Sequence, residues 1–327
     1  MSDILDVAII GAGSAGLAAV REVRKRTERF VLINAGPYGT TCARVGCMPS
    51  KVLIEAANAF HRRHGFEAFG IRGAQALSID IAAVLQRVRA LRDDFVAGTL
   101  KITERLGERS IAGRARLLGP DSIDVDGRRI RARRIVIATG SRPVVPDDWR
   151  AFGERVLTTD SLFEQPTLPP RMAVIGMGPL GVEMAQALSR LGLEVVGFGS
   201  SRTVAGLSDP RVDARFAELL CREFPVHTGS SAELSAAGDG LRVRNGKVSI
   251  VVDGVLAALG RRPNIDDLGL DALGIELDAR GRPPVDPGTL QIADLPIYLA
   301  GDAAGGGAVL HEAADEGHIA GLNALAP

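Results

Sequence analysis

The sequence predicts an α/β fold, and three observations carry the prediction. A short apolar run, Asp6-Val-Ala-Ile-Ile10, leads into Gly11-Ala-Gly13-Ser-Ala-Gly16 and an amphipathic stretch through Arg26. The same succession returns as Met172-Ala-Val-Ile175, Gly176-Met-Gly178-Pro-Leu-Gly181 and a helical stretch to Leu191. Each copy then reaches a second apolar run, 30–33 and 194–198, and the interval from Gly11 to Asn34 equals that from Gly176 to Gly199, 23 residues. In a strand–turn–helix unit of this kind the first glycine permits the tight turn and the second lets backbone approach a pyrophosphate. The third lets helix pack on strand, and the pyrophosphate sits at the helix N-terminus. One such motif is a weak signal. Two in matched settings imply two nucleotide sites, each in its own Rossmann-like domain.

The chain has 327 residues, enough for two domains. Its 39 Lys and Arg balance 39 Asp and Glu, so nothing in the charge argues for nucleic acid or a membrane surface as partner. No apolar run is long enough to span a bilayer, and the start, Met-Ser-Asp-Ile-Leu-Asp, is acidic where a signal peptide is basic; a cytoplasmic protein is expected. Between the two units lie helical stretches over 50–63 and 79–106, then a strand-rich segment whose arginines at 128–134 read as a solvated strand face. Prolines at 143, 146, 166, 169 and 170 mark the passage into the second unit.

Cys42 and Cys47 sit in the run Gly39-Thr-Thr-Cys-Ala-Arg-Val-Gly-Cys-Met-Pro-Ser-Lys51. Residues five apart on a regular helix are too distant for a disulfide. Pro49 and Gly46 give this helix reason to distort, which would bring the sulfurs together, and the helix N-terminus with Lys51 would favour thiolate once they are reduced. Two inert core cysteines are the plain alternative. A zinc site with His61 and His64 fits no finger spacing, so no metal is expected. Three cysteines, an odd number, argue against a structural disulfide framework, and Cys221, in an apolar helical stretch, reads as core.

The cysteine run resembles the active-site segment of the class I pyridine nucleotide-disulfide oxidoreductases, the flavoenzymes that include dihydrolipoamide dehydrogenase, glutathione reductase and mercuric reductase. Gly39, Thr41, Cys42, Val45, Gly46, Cys47, Pro49, Ser50 and Lys51 stand where that motif puts them. Ala138-Thr-Gly-Ser-Arg-Pro143, Leu259-Gly-Arg-Arg-Pro-Asn264, Leu299-Ala-Gly-Asp302 and the 310–317 stretch resemble further family segments.

The resemblance implies two Rossmann-like domains, the second inserted into the first. An FAD-binding domain would occupy 1–148 and 265–327, and an NAD(P)-binding domain 149–264. It implies FAD against Gly11, Gly13, Ser14, Ala15, Gly16, Asn34, Ala35, Thr41, Cys47, Lys51, Ala115, Thr139, Gly140, Ser141, Asp302, Val309, Leu310 and His311. The nicotinamide nucleotide would lie against Gly176, Gly178, Leu180, Gly181, Glu183, Ser200, Ser201, Arg202 and Gly260. It also implies a relay: hydride passes from NAD(P)H through flavin to a Cys42–Cys47 disulfide and on to a small-molecule disulfide or other electron acceptor. Cys47 would face the flavin and Cys42 the substrate, with Lys51 and Glu183 paired near the flavin. Two bland readings stand beside this, Asp302 as an N-cap and Glu183 as a first-turn carboxylate on its own helix dipole.

The sequence departs from the family in three places. Asn34 stands where an acid usually holds the FAD ribose. In the second unit that position is Gly199, followed by Ser200, Ser201 and Arg202, a set that suits a 2′-phosphate and points to NADPH over NADH. The family's C-terminal dimerisation domain, with its His–Glu base, is not found before Pro327, so the chain reads as a truncated or naturally short member of a homodimeric type. A flavin reductase acting directly on quinones, dyes or oxygen is the alternative, and a non-catalytic nucleotide-binding module the second.

Overall fold

The computed structural model describes residues 4–306 and 309–326; the acidic start at 1–3 and Pro327, both used above, lie outside the described residues. In chain order the elements begin with β1 (Leu5–Ile10), α1 (Ser14–Val23), β2 (Phe30–Asn34), α2 (Thr41–Val45), α3 (Cys47–His61) and α4 (Ile81–Glu104). Then come β3 (Ser110–Ala112), β4 (Ala115–Gly119), β5 (Ser122–Val125), β6 (Arg128–Ile137), β7 (Ser141–Pro143), β8 (Val156–Leu157) and α5 (Thr159–Leu162). The second fingerprint supplies β9 (Arg171–Ile175), α6 (Pro179–Arg190) and β10 (Glu194–Phe198), followed by α7 (Pro210–Cys221) and β11 (Val226–His227). The chain closes with β12 (Ala232–Ala237), β13 (Gly240–Asn245), β14 (Val248–Val252), β15 (Gly254–Ala257), β16 (Arg261–Pro263), β17 (Ile297–Leu299) and α8 (Leu310–Asn323).

These elements form two compact units. The first comprises Met1–Cys42, Phe95–Arg142 and Arg261–Pro327, the second Ala43–Asp94 and Pro143–Gly260. In the first, the strand order is β3-β2-β1-β6-β5-β4 with β17 also on β6. The strands β2, β1, β6 and β17 run parallel, so that Ile33 and Ile137 flank Ile10 and Leu299 flanks Ile137. Val7 to Ile10 are almost fully enclosed, as expected for a strand covered on both faces. The chain therefore leaves four parallel strands at one edge of the sheet, where open α/β sheets place their ligands. Those exits are the Gly11–Gly16 turn, Asn34, Thr139–Ser141 and Asp302.

In the first unit α8 lies very close to α1. A Cβ on Gly317 would stand 2.1 Å from the Ala15 carbonyl oxygen, and one on Gly321 2.9 Å from that of Ala19. Only backbone hydrogens fit between these helices, which explains the small residues on both.

The second unit repeats the plan, with β11-β10-β9-β15-β8 all parallel. Phe198 and Ala257 flank Ile175, so Gly176–Gly181, Gly199–Arg202 and Ala258–Gly260 leave one edge together. The β12–β14 meander shares a core with the sheet through Trp149, Phe198, Leu241 and Val243. Leu53, Ala57, Leu85 and Val88 from α3 and α4 are buried in this unit's other core with Val174, Met184 and Leu188.

Three sequence expectations need correction. Cys221 is exposed at the last turn of α7, because the apolar face of that helix is carried by its neighbour Leu220, which is 1 % exposed. Glu183 is the fifth residue of α6, beyond the first turn, so the helix dipole does not hold it. Pro49 does not distort a continuous helix: the helix breaks at Gly46 (φ −122°, ψ −118°), and Pro49 sits in the first turn of α3, where a missing N–H costs nothing.

Candidate nucleotide and redox sites

The two glycine turns have the same construction down to single hydrogen bonds. Gly11 N–H donates to Ile33 O at 2.7 Å and Ala138 N–H to Ile10 O at 2.8 Å; Gly176 N–H donates to Phe198 O at 2.7 Å and Ala258 N–H to Ile175 O at 2.7 Å. Gly11 has φ +110° and Gly176 φ +105°, a region that favours glycine. A Cβ on either would stand 2.1 Å from a carbonyl oxygen, that of Ala138 or Ala258. A Cβ on Gly16 or Gly181 would stand 1.8 or 1.7 Å from the first glycine's own carbonyl oxygen. The middle glycines differ in kind. Gly13 and Gly178 have no atom within 4 Å of that position, and each is the N-cap of its helix with no side chain capping it. Each turn is thus an open cradle ending in unclaimed helix N–H groups, which suits a pyrophosphate.

In the first unit Asn34 and Ala35 follow β2. The Asn34 amide oxygen accepts from Ala12 N–H at 3.1 Å, its nitrogen donates to Gly36 O at 3.0 Å, and its backbone oxygen accepts from Gly113 N–H at 3.0 Å. Asn34 therefore braces the glycine turn, and Ala115 opens β4 just beyond Gly113. Thr139 and Gly140 are fixed by Asn264, whose side chain donates to Thr139 O at 3.0 Å and whose N–H donates to Gly140 O at 2.9 Å. The Thr139 hydroxyl is buried with no hydrogen-bond partner, a donor that a ligand at this edge would satisfy. Ser141 Oγ donates to Asp302 Oδ2 at 2.6 Å and accepts from Arg261 Nε at 2.9 Å. A cavity of about 440 Å³ opens here, lined by Ser141, Asp302, Arg261, Arg262, Arg280 and Arg282 among others. Val309, Leu310 and His311 are exposed at the start of α8. An open cradle, an orphaned hydroxyl and a half-buried carboxylate on one sheet edge fit a dinucleotide such as FAD.

Glu316 was not singled out by sequence reasoning. It stands six residues past the start of α8, and nothing in the periodicity distinguishes it from a surface glutamate. Its carboxylate accepts from Gly301 N–H at 2.6 Å. Burial holds its pKa above the usual carboxylate range, the nearby charges of Glu312 and Asp302 adding to that, and the Gly301 N–H opposes the shift.

In the second unit Lys51 Nζ donates to both carboxylate oxygens of Glu183 at 3.0 and 2.9 Å, with both side chains about half exposed. Such an exposed pair adds only about 0–1 kcal/mol to stability, so its value lies in positioning. Cys47 opens α3 and is exposed; Ser50 Oγ donates to its carbonyl at 3.1 Å. Thr41 and Cys42 belong to the first unit and lie in α2, with Cys42 half-buried; the structure has no disulfide between Cys42 and Cys47.

Gly199 has a packing reason. A Cβ there would stand 3.2 Å from Met177 Cβ, and one on Gly197 2.7 Å from Met177 Sδ. The methionine between the fingerprint glycines thus fills the space beside the strand end. Ser201 is tied by its carbonyl to Gly229 N–H at 3.0 Å and by its hydroxyl to Thr203. Arg202 is exposed, with no hydrogen-bond or ion-pair partner among the described residues. Leu180 and Gly260 stand at the same edge, Gly260 accepting from Val144 N–H at 2.9 Å. Among the described residues no group of three or more His, Cys, Asp or Glu is placed to hold a metal, and no helix is long and apolar enough to cross a membrane.

Comparison with known proteins agrees with this geometry. Residues 5–317 match the family model for pyridine nucleotide-disulphide oxidoreductase. The chain is 32 % identical over 335 residues to a dihydrolipoyl dehydrogenase of Thermus scotoductus, covering 98 % of this chain and 70 % of that one. It is 30 % identical over 330 residues to a mercuric reductase of Bacillus cereus, covering 98 % of this chain but 52 % of the relative. The crystal structure of LpdA from Mycobacterium tuberculosis superposes with a TM-score of 0.85 at 26 % identity, over 98 % of this chain and 72 % of that one. The Cu(II) complex of the flavoprotein disulfide reductase RclA from Escherichia coli shares the fold, with a TM-score of 0.84 at 23 % identity. With paired dinucleotide cradles in one chain and a match across nearly all of it, the protein belongs to the pyridine nucleotide-disulphide oxidoreductase family, in the class I branch with dihydrolipoyl dehydrogenase and mercuric reductase.

Proposed function

We propose that the chain binds FAD in the first unit's cradle and NAD(P)H in the second's, and carries an electron pair to Cys42 and Cys47. The duplicated cradle carries this reading, because one nucleotide site would need only one. FAD-binding residues would then fall in 1–148 and 265–327 and NAD(P)-binding residues in 149–264. The net reaction is NAD(P)H + H⁺ + RSSR → NAD(P)⁺ + 2 RSH, with a small disulfide or related acceptor as RSSR. Bound FAD would supply the means of splitting a hydride into steps that thiols can use.

The chain's own residues do the rest. The helix N-termini behind Gly13 and Gly178 hold pyrophosphates, Thr139 and Asp302 offer polar contacts, and Glu183 fixes the Lys51 ammonium. Reduction of a Cys42–Cys47 disulfide gives a thiol pair, and attack of one sulfur on RSSR releases the first RSH. Closure of the disulfide by the other sulfur releases the second. The family resemblance points to a cytoplasmic setting and, for a form carrying the family's dimerisation domain, to a homodimer.

An anaerobic dithionite titration tests the relay. The FAD-loaded chain should take up four electrons, two on flavin and two on the cysteine pair, and Cys47→Ser should take up two. Two-electron uptake by the unmodified chain would remove the relay and leave the flavin-reductase reading and the non-catalytic module.

Ser200, Ser201 and Arg202 support NADPH as the donor. Arg202→Ala should weaken NADPH by about 1–3 kcal/mol, the range for loss of a charged hydrogen bond, and leave NADH nearly unchanged. The comparison is made by stopped-flow reduction of the bound flavin with each nucleotide. Equal loss with both nucleotides would remove Arg202 from the 2′-phosphate site.

A further inference from the structure

We infer that Glu316 is a positioning residue for FAD, holding through the Gly301 N–H the turn that presents Asp302. This rests on the reading that the first unit binds FAD.

The turn after β17 is built to be held from two sides. Gly301 has φ +73°, and a Cβ on it would stand 3.0 Å from Ala15 Cβ and 3.4 Å from Ala313 Cβ, so the turn is wedged against both α1 and α8. Its N–H points at Glu316 Oε2, 2.6 Å away, while the preceding Ala300 N–H donates to Ile137 O at 2.9 Å. On the other side Ser141 Oγ, itself held by Arg261, donates to Asp302 Oδ2. Gly301 is buried, so its N–H has no ready substitute for the carboxylate. Removing Glu316 would leave that donor unsatisfied or turn the peptide to find another acceptor. Either change moves Asp302, the next residue in the chain.

The acceptor matters here more than the charge. A glutamine keeps a side-chain oxygen at the same reach, so Glu316→Gln separates a hydrogen-bonding role from an electrostatic one.

FAD is titrated into apoprotein prepared from the wild-type chain, Glu316→Ala, Glu316→Gln, Asp302→Ala and the Glu316→Ala/Asp302→Ala double variant, following flavin fluorescence. Loss of a charge-assisted hydrogen bond predicts a Kd about ten- to a hundredfold higher for Glu316→Ala. Glu316→Gln should stay within about threefold of wild type. Because Glu316 acts through Asp302, the double variant should bind no more weakly than Asp302→Ala alone. The melting temperature of each apoprotein is measured alongside. A Glu316→Ala chain that melts lower but binds FAD like wild type would reduce Glu316 to a structural role and overturn the inference. So would a Glu316→Gln variant as weak as Glu316→Ala, or strict additivity in the double variant. A wild-type chain that takes up no FAD would overturn the functional reading as well.

Discussion

Gly11→Ala is expected to yield a colourless protein, and Gly176→Ala a yellow one that neither NADPH nor NADH reduces. The two substitutions are chemically the same and meet the same obstacle, a carbonyl oxygen 2.1 Å from the new Cβ. Both also put a side chain at a φ above +100°, which costs an L-residue about 1–2 kcal/mol. The contact is with backbone at the end of β6 or β15, so no rotamer relieves it, and the strand end must shift at about 1–3 kcal/mol more. Against a typical domain stability of about 5–15 kcal/mol, each unit should still fold with its cradle misshapen. A pyrophosphate held by several backbone N–H groups then loses most of them together, and about a hundredfold or more in affinity with them. The ratio of flavin to protein absorbance reads the first result and stopped-flow reduction the second. If Gly11→Ala purified with stoichiometric FAD, the first cradle would not be the flavin site. If Gly176→Ala were reduced normally by either nucleotide, the second would not be the nicotinamide site.

The parts of this molecule legible in its sequence are those where geometry leaves one residue type. At Gly11, Gly16, Gly176 and Gly181 only glycine leaves the cradle undistorted, since a Cβ at each would stand within about 2 Å of a carbonyl oxygen. Their equal spacing announced two sheets of one plan before any strand was placed. Apolar runs such as Val7–Ile10 and Ala173–Ile175 marked the buried parallel strands for the same reason.

What stayed hidden depends on partners far along the chain. The periodicity of α3 and α4 shows that they have apolar faces but not that Leu53 and Leu85 are buried with Leu188 of the second unit. Gly199 read as a missing acid, whereas its immediate neighbour is Met177, 22 residues away. Glu316 looked like a surface residue until Gly301 was placed beneath it. Cys221 misled in the opposite direction, since an apolar stretch on α7 says only that one face is buried and the cysteine is on the other. The pairing of Lys51 with Glu183, 132 residues apart, was available only through family resemblance.

Serine at either cysteine is expected to abolish disulfide reduction while leaving dye reduction nearly untouched. Serine keeps the volume and the hydrogen bond of cysteine, but its alkoxide is inaccessible near neutral pH and it forms no disulfide, so thiol exchange stops. The fall in turnover of a small disulfide should be about 10³-fold or more, as when a nucleophile is removed from a covalent mechanism. Reduction of a dye by NAD(P)H needs the two nucleotide cradles and not the thiols, so it should change by no more than about twofold.

The two variants should then part spectroscopically. The family places Cys47 on the flavin side, and in the structure it opens α3 and is exposed. Cys42→Ser, which retains that sulfur as a free thiol beside oxidised flavin, should therefore show a long-wavelength thiolate–flavin absorbance before any reductant is added, and Cys47→Ser should not. Both measurements are made on one preparation of each variant after FAD content is matched. Disulfide turnover that survived both substitutions would take the cysteines out of the route. A dye rate that fell in step with the disulfide rate would show that the serines had damaged the nucleotide sites instead. Presence of the long-wavelength band in Cys47→Ser and its absence from Cys42→Ser would reverse the order of the two sulfurs.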